Sequence, residues 1–290
     1  MSILKQRTPR QLKILGRRLS VATGRRTSGL RMRPSFVLAG AQRCGTTSLY
    51  RALIDHPSVL SPVHHKGVNY FDVNYEAGWE WYLGHFPLRS LASLRARGTG
   101  AEPVTFDASG YYSYHPHAAR RLGADLPDVK VLLMVRDPVE RAYSAYKHEL
   151  GRRFETEDFL RALQLEDERV EPELARMHSD EGYASFTHRH NSYRRRGQYA
   201  EQLSRLREQV GPDRVLVVDS HDFFTQPEVE YARVLGFLGL QPHLPARFDR
   251  WNARPGSDMP SDARRFLSEA FAPHNEELGR LLGRPPSWCR

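Results

Sequence analysis

An anion-binding loop is the first feature of this sequence that could do chemistry. Residues 40–47 read Gly-Ala-Gln-Arg-Cys-Gly-Thr-Thr and lie between a short apolar run and a helical pattern. Glycine lets the backbone approach an anion closely, and the start of the following helix supplies N–H groups and positive partial charge. Arg43 adds a cation, and Thr46, Thr47 and Ser48 add hydroxyl donors. We therefore predict that this loop binds an anionic group.

The loop resembles a P-loop in its glycine spacing but not in its cation. A nucleoside triphosphatase has lysine where Thr46 stands, and that lysine reaches the β- and γ-phosphates. In this chain the cation lies inside the loop, at Arg43. The sequence also offers no evident carboxylate for Mg²⁺. A P-loop kinase is therefore an alternative that these residues disfavour.

A second anion-binding segment follows the strongest strand pattern in the chain. Residues 129–135 are almost wholly apolar and predict a buried parallel strand. Arg136 follows at the carboxyl end of this strand, where open α/β sheets bind ligands. Asp137 and Pro138 predict a helix start, and Ser144 on that helix can donate to the same anion. Two phosphate-binding segments at two strand ends indicate a nucleotide phosphorylated at both its 5′ and 3′ positions.

These two segments resemble the donor-binding motifs of a known enzyme family. Residues 36–49 resemble the 5′-phosphosulfate loop of sulfotransferases that use PAPS (3′-phosphoadenosine 5′-phosphosulfate), and residues 136–144 resemble their 3′-phosphate motif. The most similar branch includes the heparan sulfate N- and 3-O-sulfotransferases and their bacterial relatives, which often have lysine at the position of Arg43. The resemblance implies transfer of a sulfuryl group from PAPS to a hydroxyl or amine, without a metal. A carbohydrate or glycolipid is the expected acceptor, and the chemistry equally allows a lipid or another small molecule.

The resemblance also implies which residues bind the donor. These are Arg43, Cys44, Gly45, Thr46, Thr47, Ser48, Arg136, Ser144 and Arg254. Arg254 is included as the replacement for a Lys-Gly-Arg loop that holds the donor in many relatives.

The catalytic base is the residue that the resemblance does not supply. Sulfuryl transfer needs an in-line acceptor, charge stabilisation and a group that takes the acceptor proton. By analogy, Arg43 neutralises the charge that develops on the bridging oxygen of the donor. Relatives usually have a catalytic glutamate where this chain has Gly67. His65 is our first candidate for the base because imidazole titrates near neutrality, and His64 and Asp72 are the alternatives.

A non-enzymatic interpretation also accounts for the missing glutamate. A nucleotide- or polyanion-binding protein on the same fold, inactive or weakly active, would keep the phosphate-binding segments without a base. Donor-dependent transfer would distinguish the two interpretations.

Strand patterns alternate with helical patterns along the body of the chain. Apolar runs at residues 35–40, 104–107, 129–135 and 214–219 predict strands. Predicted helices cover residues 46–56, 116–126, 228–238 and 262–282. This alternation predicts one α/β domain of the P-loop-NTPase type, with a central, mostly parallel sheet covered by helices on both faces.

Two basic runs could suggest a metal or a nucleic acid as ligand. Residues 188–190 read His-Arg-His, but two histidines without cysteine or carboxylate support make a poor metal site. Residues 194–196 are three arginines, which we expect to form a solvated or acceptor-facing surface.

The positive charge of the chain is concentrated at its start. The chain has 290 residues and a formal net charge of +9, and residues 1–33 hold ten Lys or Arg and no acidic residue. We predict that residues 1–33 form a poorly ordered basic tail and that residues 34–290 form the sulfotransferase domain. The spacing of Leu12, Leu15 and Leu19 would also suit a helix on an anionic membrane surface. No nucleic acid is expected, because the tail has no aromatic residue to stack on bases.

The cysteines and apolar runs suggest a location. The two cysteines, Cys44 and Cys289, lie in the anion-binding loop and next to the end of the sequence. A structural disulfide is not expected, and a reducing cytoplasm fits this pattern. No apolar run approaches the roughly 18–20 residues that a membrane-spanning helix needs, so we expect a cytoplasmic protein, with the tail able to hold it at a membrane surface.

Overall fold

The described part of the chain is built around one parallel sheet. The computed structural model describes residues 20–63, 66–96, 102–249 and 258–290. Five strands lie in the order β2-β3-β1-β4-β5, and every neighbouring pair is parallel. The strands are β1 (Phe36–Gly40), β2 (Val59–Leu60), β3 (Val104–Ala108), β4 (Lys130–Val135) and β5 (Val215–Asp219).

Helices connect and cover these strands. The α-helices are α1 (Thr46–Asp55), α2 (Tyr70–Val73), α3 (Trp79–Leu83), α4 (Arg89–Ala96), α5 (Ala118–Asp125), α6 (Pro138–Gly151), α7 (Phe159–Gln164), α8 (Glu166–Ser179), α9 (Phe186–His190), α10 (Tyr199–Val210), α11 (Ser220–Thr225), α12 (Pro227–Leu238) and α13 (Ser261–Leu282). None of the helices in the described part is long and apolar enough to cross a membrane.

The burial of the central strands confirms the predicted fold class. Every residue of β1 is buried, and in β4 every residue after Lys130 is buried. Successive side chains of a strand point to opposite faces of the sheet, so continuous burial means that both faces are covered. The sequence therefore predicted a covered parallel sheet correctly from its apolar runs. Strand β2, which pairs with β3 at the edge of the sheet, was not predicted because two residues carry no periodic signal.

The carboxyl ends of three neighbouring strands define the edge where the predicted site lies. Strand β1 lies between β3 and β4. The segments that follow Gly40, Ala108 and Val135 therefore leave the sheet side by side.

Residues 20–33, the described part of the basic tail, lie against the body of the protein. A Cβ atom added at Gly24 would lie 2.3 Å from the carbonyl oxygen of Gly84, so the two backbones are in close contact. Arg31 Nη1 donates a hydrogen bond to the carbonyl oxygen of Phe86, and Met32 N donates to Pro87 O at 2.9 Å. These contacts fix one end of the tail near α3.

Candidate functional site

The predicted anion-binding loop joins β1 to α1. Gly45 precedes α1 in the left-handed conformation, with a φ of 87°. Because glycine offers no side-chain oxygen to cap the first turn of α1, the N–H groups of that turn face the site without a side-chain cap. A Cβ atom at this position would also lie 3.0 Å from the ring of Phe224. Backbone conformation and packing thus both favour glycine here, and the loop has the features of an anion-binding helix start.

Arg43 connects the two predicted phosphate-binding segments. Its backbone is left-handed, with a φ of 71°. Its Nε donates a hydrogen bond to Ser144 Oγ at 3.0 Å, and Ser144 lies on α6, the helix that follows Arg136. Two residues predicted from separate motifs, 101 positions apart, are therefore in contact.

Arg136 lies at the carboxyl end of β4, as predicted. Asp137 Oδ1 accepts a hydrogen bond from Val139 N at 2.9 Å and Pro138 begins α6, which confirms the predicted helix start. Arg136 Nη2 lies 4.0 Å from Glu140 Oε2, and the Arg136 side chain is 38% exposed. Exposed ion pairs of this length contribute little. An anionic ligand could therefore compete with Glu140 for the guanidinium group.

Lys66 contacts this site although it was not among the site residues predicted from the sequence. Its Nζ donates hydrogen bonds to Thr46 Oγ1 at 3.0 Å and to Thr47 Oγ1 at 3.4 Å. It also lies 5.7 Å from the ring centre of Tyr50. Burial lowers the pKa of Lys66 to about 8. A second cation therefore contacts the anion-binding loop, in addition to Arg43.

Gly67, the position at which the resemblance led us to expect a glutamate, is packed against β3. A Cβ atom at Gly67 would lie 1.9 Å from the carbonyl oxygen of Ala108, which no real contact allows. The neighbouring Asp107 accepts hydrogen bonds from Val68 N at 2.9 Å and from Tyr112 Oη at 2.7 Å. Burial raises the pKa of Asp107 to about 6, and these hydrogen bonds oppose the rise. The close packing of Gly67 against the Ala108 carbonyl group thus leaves no room for a side chain unless backbone atoms move.

Asp72, one of the candidate bases, is buried at the same edge of the sheet. Its Oδ2 accepts hydrogen bonds from Ser109 Oγ at 2.7 Å and from Asn69 Nδ2 at 2.9 Å, while Oδ1 accepts from Val73 N at 2.7 Å. Burial raises the pKa of Asp72, and its hydrogen bonds oppose the rise. Both oxygens are therefore engaged with protein donors.

A polar network extends from the loop toward α6 and α9. Arg196 donates to Gln42 Oε1, and Gln42 Nε2 donates to Glu149 Oε1 at 3.4 Å. His190 Nδ1 lies 3.2 Å from Glu149 Oε2. Burial alone would raise the pKa of Glu149, but His190 and Arg152 lower it overall. Residues 194–196 were expected to form a solvated or acceptor-facing surface, but Arg196 is buried. Its guanidinium group donates a hydrogen bond to Gln42 inside the protein.

Three predicted site residues lie outside the described part of the chain. They are His64, His65 and Arg254. Within the described ranges, no group of three or more His, Cys, Asp or Glu side chains is arranged to hold a metal ion.

Comparison with known proteins gives the family of this chain. The family model described as "Sulfotransferase domain" matches residues 33–252. The chain belongs to this sulfotransferase family. The match confirms the family that residues 36–49 and 136–144 indicated, and with it the class of PAPS-dependent transferases.

Individual relatives agree with the family assignment. The human bifunctional heparan sulfate N-deacetylase/N-sulfotransferase 3 is 29% identical over 293 residues, and its mouse counterpart is 30% identical over 305 residues. Each alignment covers 89% of this chain but 31% of the relative, so the chain spans about a third of these curated proteins. Among solved structures, a sulfotransferase from Alicyclobacillus acidocaldarius is 29% identical, with a TM-score of 0.65. That comparison covers 89% of this chain and 99% of the bacterial one.

Proposed function

We propose that this sulfotransferase moves a sulfuryl group from PAPS to a hydroxyl or amine of a carbohydrate or glycolipid. The contact between Arg43 and Ser144 is the observation that supports the proposal most directly. It joins the loop expected to bind the 5′-phosphosulfate to the helix expected to bind the 3′-phosphate. A donor with phosphates at both positions, as in PAPS, would fit such an arrangement. The acceptor class is proposed because the names of the curated relatives specify heparan sulfate.

The proposed donor site uses the residues expected from the sequence. They are Arg43, Cys44, Gly45, Thr46, Thr47, Ser48, Arg136, Ser144 and Arg254. In this proposal the backbone N–H groups and hydroxyls of the loop bind the 5′ group, and Arg136 binds the 3′-phosphate. Arg43 neutralises the oxygen that leaves with PAP, the desulfated donor. No metal is needed for these steps.

His65 is the proposed catalytic base, with His64 and Asp72 as alternatives. His65 directly precedes Lys66, whose ammonium group contacts Thr46 of the donor loop. Asp72 is a weaker candidate because three protein donors already occupy its two oxygens. A base must be within hydrogen-bond reach of the acceptor proton. A His65→Ala variant should therefore lose transfer activity while it still binds PAP.

Calorimetry tests the donor. The protein should bind PAP more tightly than ATP with Mg²⁺. A preference for ATP with Mg²⁺ would favour the P-loop kinase alternative and overturn the proposal.

Transfer of labelled sulfate from PAPS tests the reaction. Removal of one charge-stabilising group typically lowers the rate by about 10²–10³-fold, and we expect a loss of this size for Arg43→Ala. Arg51→Ala is the matched control, because Arg51 is an exposed arginine on the adjoining helix α1. If a broad panel of carbohydrate and lipid acceptors gives no product that depends on Arg43, the non-catalytic binding protein becomes the better interpretation.

We further propose a cytoplasmic location, with an anionic membrane surface as partner of the basic tail. The ten cations of residues 1–33 support this interpretation, because clustered Lys and Arg attract anionic lipid headgroups. No nucleic-acid partner is proposed.

A further inference from the structure

Lys66 extends its ammonium group to the first turn of α1. Its Nζ lies 3.0 Å from Thr46 Oγ1 and 3.4 Å from Thr47 Oγ1, and these residues begin the helix. The same turn carries the N–H groups expected to bind the 5′ end of the donor. Lys66 is therefore placed against the proposed phosphosulfate site from outside the loop.

This position is unfavourable for a cation unless an anion is present. Burial disfavours the charged form of Lys66, and within the described residues no carboxylate charge compensates for that burial. The N-terminal end of a helix also carries positive partial charge, which repels an ammonium group. An anion bound at this turn would remove both penalties. The arrangement thus favours a site that is completed by a negatively charged ligand.

The ammonium group of Lys66 lies beside the position at which a P-loop has its own lysine. A P-loop has its lysine at the position of Thr46. Threonine cannot supply a cation, but Lys66 brings one to within hydrogen-bond distance of that threonine. The charge that a P-loop has at the position of Thr46 is therefore supplied, in addition to that of Arg43, by a residue 20 positions further along the chain.

We propose that Lys66 replaces the missing P-loop lysine: its ammonium group binds the 5′-phosphosulfate of the donor and stabilises the oxygen that leaves with PAP. The inference rests on the proposed function. In the reaction, the acceptor oxygen or nitrogen forms a bond to sulfur while the bond between sulfur and the bridging oxygen breaks. The electron pair of that bond stays on the bridging oxygen, which becomes part of the 5′-phosphate of PAP, and the acceptor proton passes to the base. Lys66 and Arg43 together neutralise the charge that collects there.

Two ligands that differ in one phosphate test this assignment. PAP carries phosphates at its 5′ and 3′ positions, whereas adenosine 3′-phosphate lacks the 5′ group. By calorimetry, Lys66→Met should weaken PAP binding by about 10- to 100-fold, the range typical of a hydrogen bond to a charged group. It should leave adenosine 3′-phosphate binding unchanged. Lys66→Arg, which keeps the charge, should recover most of the lost affinity for PAP.

Two further variants control for misfolding and for the general effect of replacing a lysine by methionine. Lys66→Gln can still bond to Thr46 without a charge, so it replaces Lys66→Met if that variant does not fold. Lys130→Met is the matched control, because Lys130 Nζ donates to Phe237 O at 2.8 Å at the opposite end of β4. Lys130→Met should bind both ligands as the wild type does.

The outcomes separate this inference from the function on which it rests. Unchanged PAP affinity in the uncharged variants, or an equal loss for both ligands, would show that Lys66 does not contact the 5′ group and would overturn the assignment. A wild-type protein that binds neither ligand would overturn the proposed function, and the assignment with it.

Discussion

The described hydrogen-bond partners of Lys66 are neutral, so no charge among them holds its ammonium group protonated. Donor binding should therefore depend on the pH at which Lys66 titrates. Burial lowers the pKa of Lys66 to about 8, while the Thr46 and Thr47 hydroxyls and the Tyr50 ring lie around its ammonium group. Below pH 8 the side chain is already protonated and meets the donor as a cation. Above pH 8 it is mostly neutral, so an anion that favours the charged form must draw a proton from solution.

Proton uptake measures this linkage directly. We expect the wild type to take up more protons on binding PAP as the pH rises from 7 to 9, by up to about one proton per site. Calorimetry in two buffers with different ionisation enthalpies gives this number. The Lys66→Met variant should show no such rise, and identical curves for the two proteins would contradict the assigned pKa and contact. Histidines near the site would affect both proteins alike.

Prediction at the level of single residues depends on a local motif that contains the whole signal. Arg43 and Ser144 were each predicted from a local pattern, and the fold brings them into contact. Lys66 has no such pattern, because its distance from Thr46 is set by tertiary folding and not by spacing along the chain. The same limit applies to Arg196, whose bond to Gln42 spans 154 positions. Spacing along the chain identifies the residues of a loop but not the side chains that reach it from elsewhere.

At the scale of elements, the long apolar strands were predictable and the position of the loop before α2 was not. Strands β1, β4 and β5 are apolar runs of five or six residues and were predicted to within one residue. No sequence pattern indicates that residue 67 lies against the backbone of β3. That contact arises from tertiary packing, and it is compatible with glycine at this position but not with a side chain.

The packing at Gly67 predicts that any side chain introduced there will destabilise the protein. A side chain at Gly67 would place its Cβ 1.9 Å from Ala108 O, and backbone atoms would have to move. Overpacking of this kind commonly costs about 1–3 kcal/mol, so Gly67→Ala should lower the free energy of unfolding by at least about 1 kcal/mol. Gly67→Glu should destabilise the protein at least as much, and it should not increase transfer activity. Urea denaturation and the sulfate-transfer assay measure the two effects.

Gly236 provides the matched control for this substitution. It lies inside α12, and a Cβ atom there would meet nothing within 4 Å. Because alanine favours the helix over glycine by about 1 kcal/mol, Gly236→Ala should raise the free energy of unfolding slightly. Equal stability of Gly67→Ala and the wild type would mean that the contact with β3 is not close in solution.

At the scale of the whole molecule, charge divides the chain into two parts. Residues 1–33 hold ten Lys or Arg and no acidic residue, while the remaining residues carry 33 basic and 34 acidic side chains. Residues 20–33 contact the body through Gly24 and Arg31. The point at which residues 1–19 join the domain is therefore fixed beside α3.

Removal of residues 1–19 should separate membrane binding from donor binding. This truncation deletes six Lys or Arg and three spaced leucines and leaves residues 20–33 in place. Basic residues near an anionic surface contribute roughly 1 kcal/mol each, so binding to vesicles containing phosphatidylserine should fall at least tenfold in a sedimentation assay. The full chain should bind these vesicles less at high salt, since screening weakens such attraction, and vesicles of phosphatidylcholine alone should bind neither protein. PAP affinity should be the same with and without residues 1–19, because the proposed donor residues all lie in the body. If the truncated protein binds anionic vesicles as well as the full chain, the tail is not the membrane-binding segment.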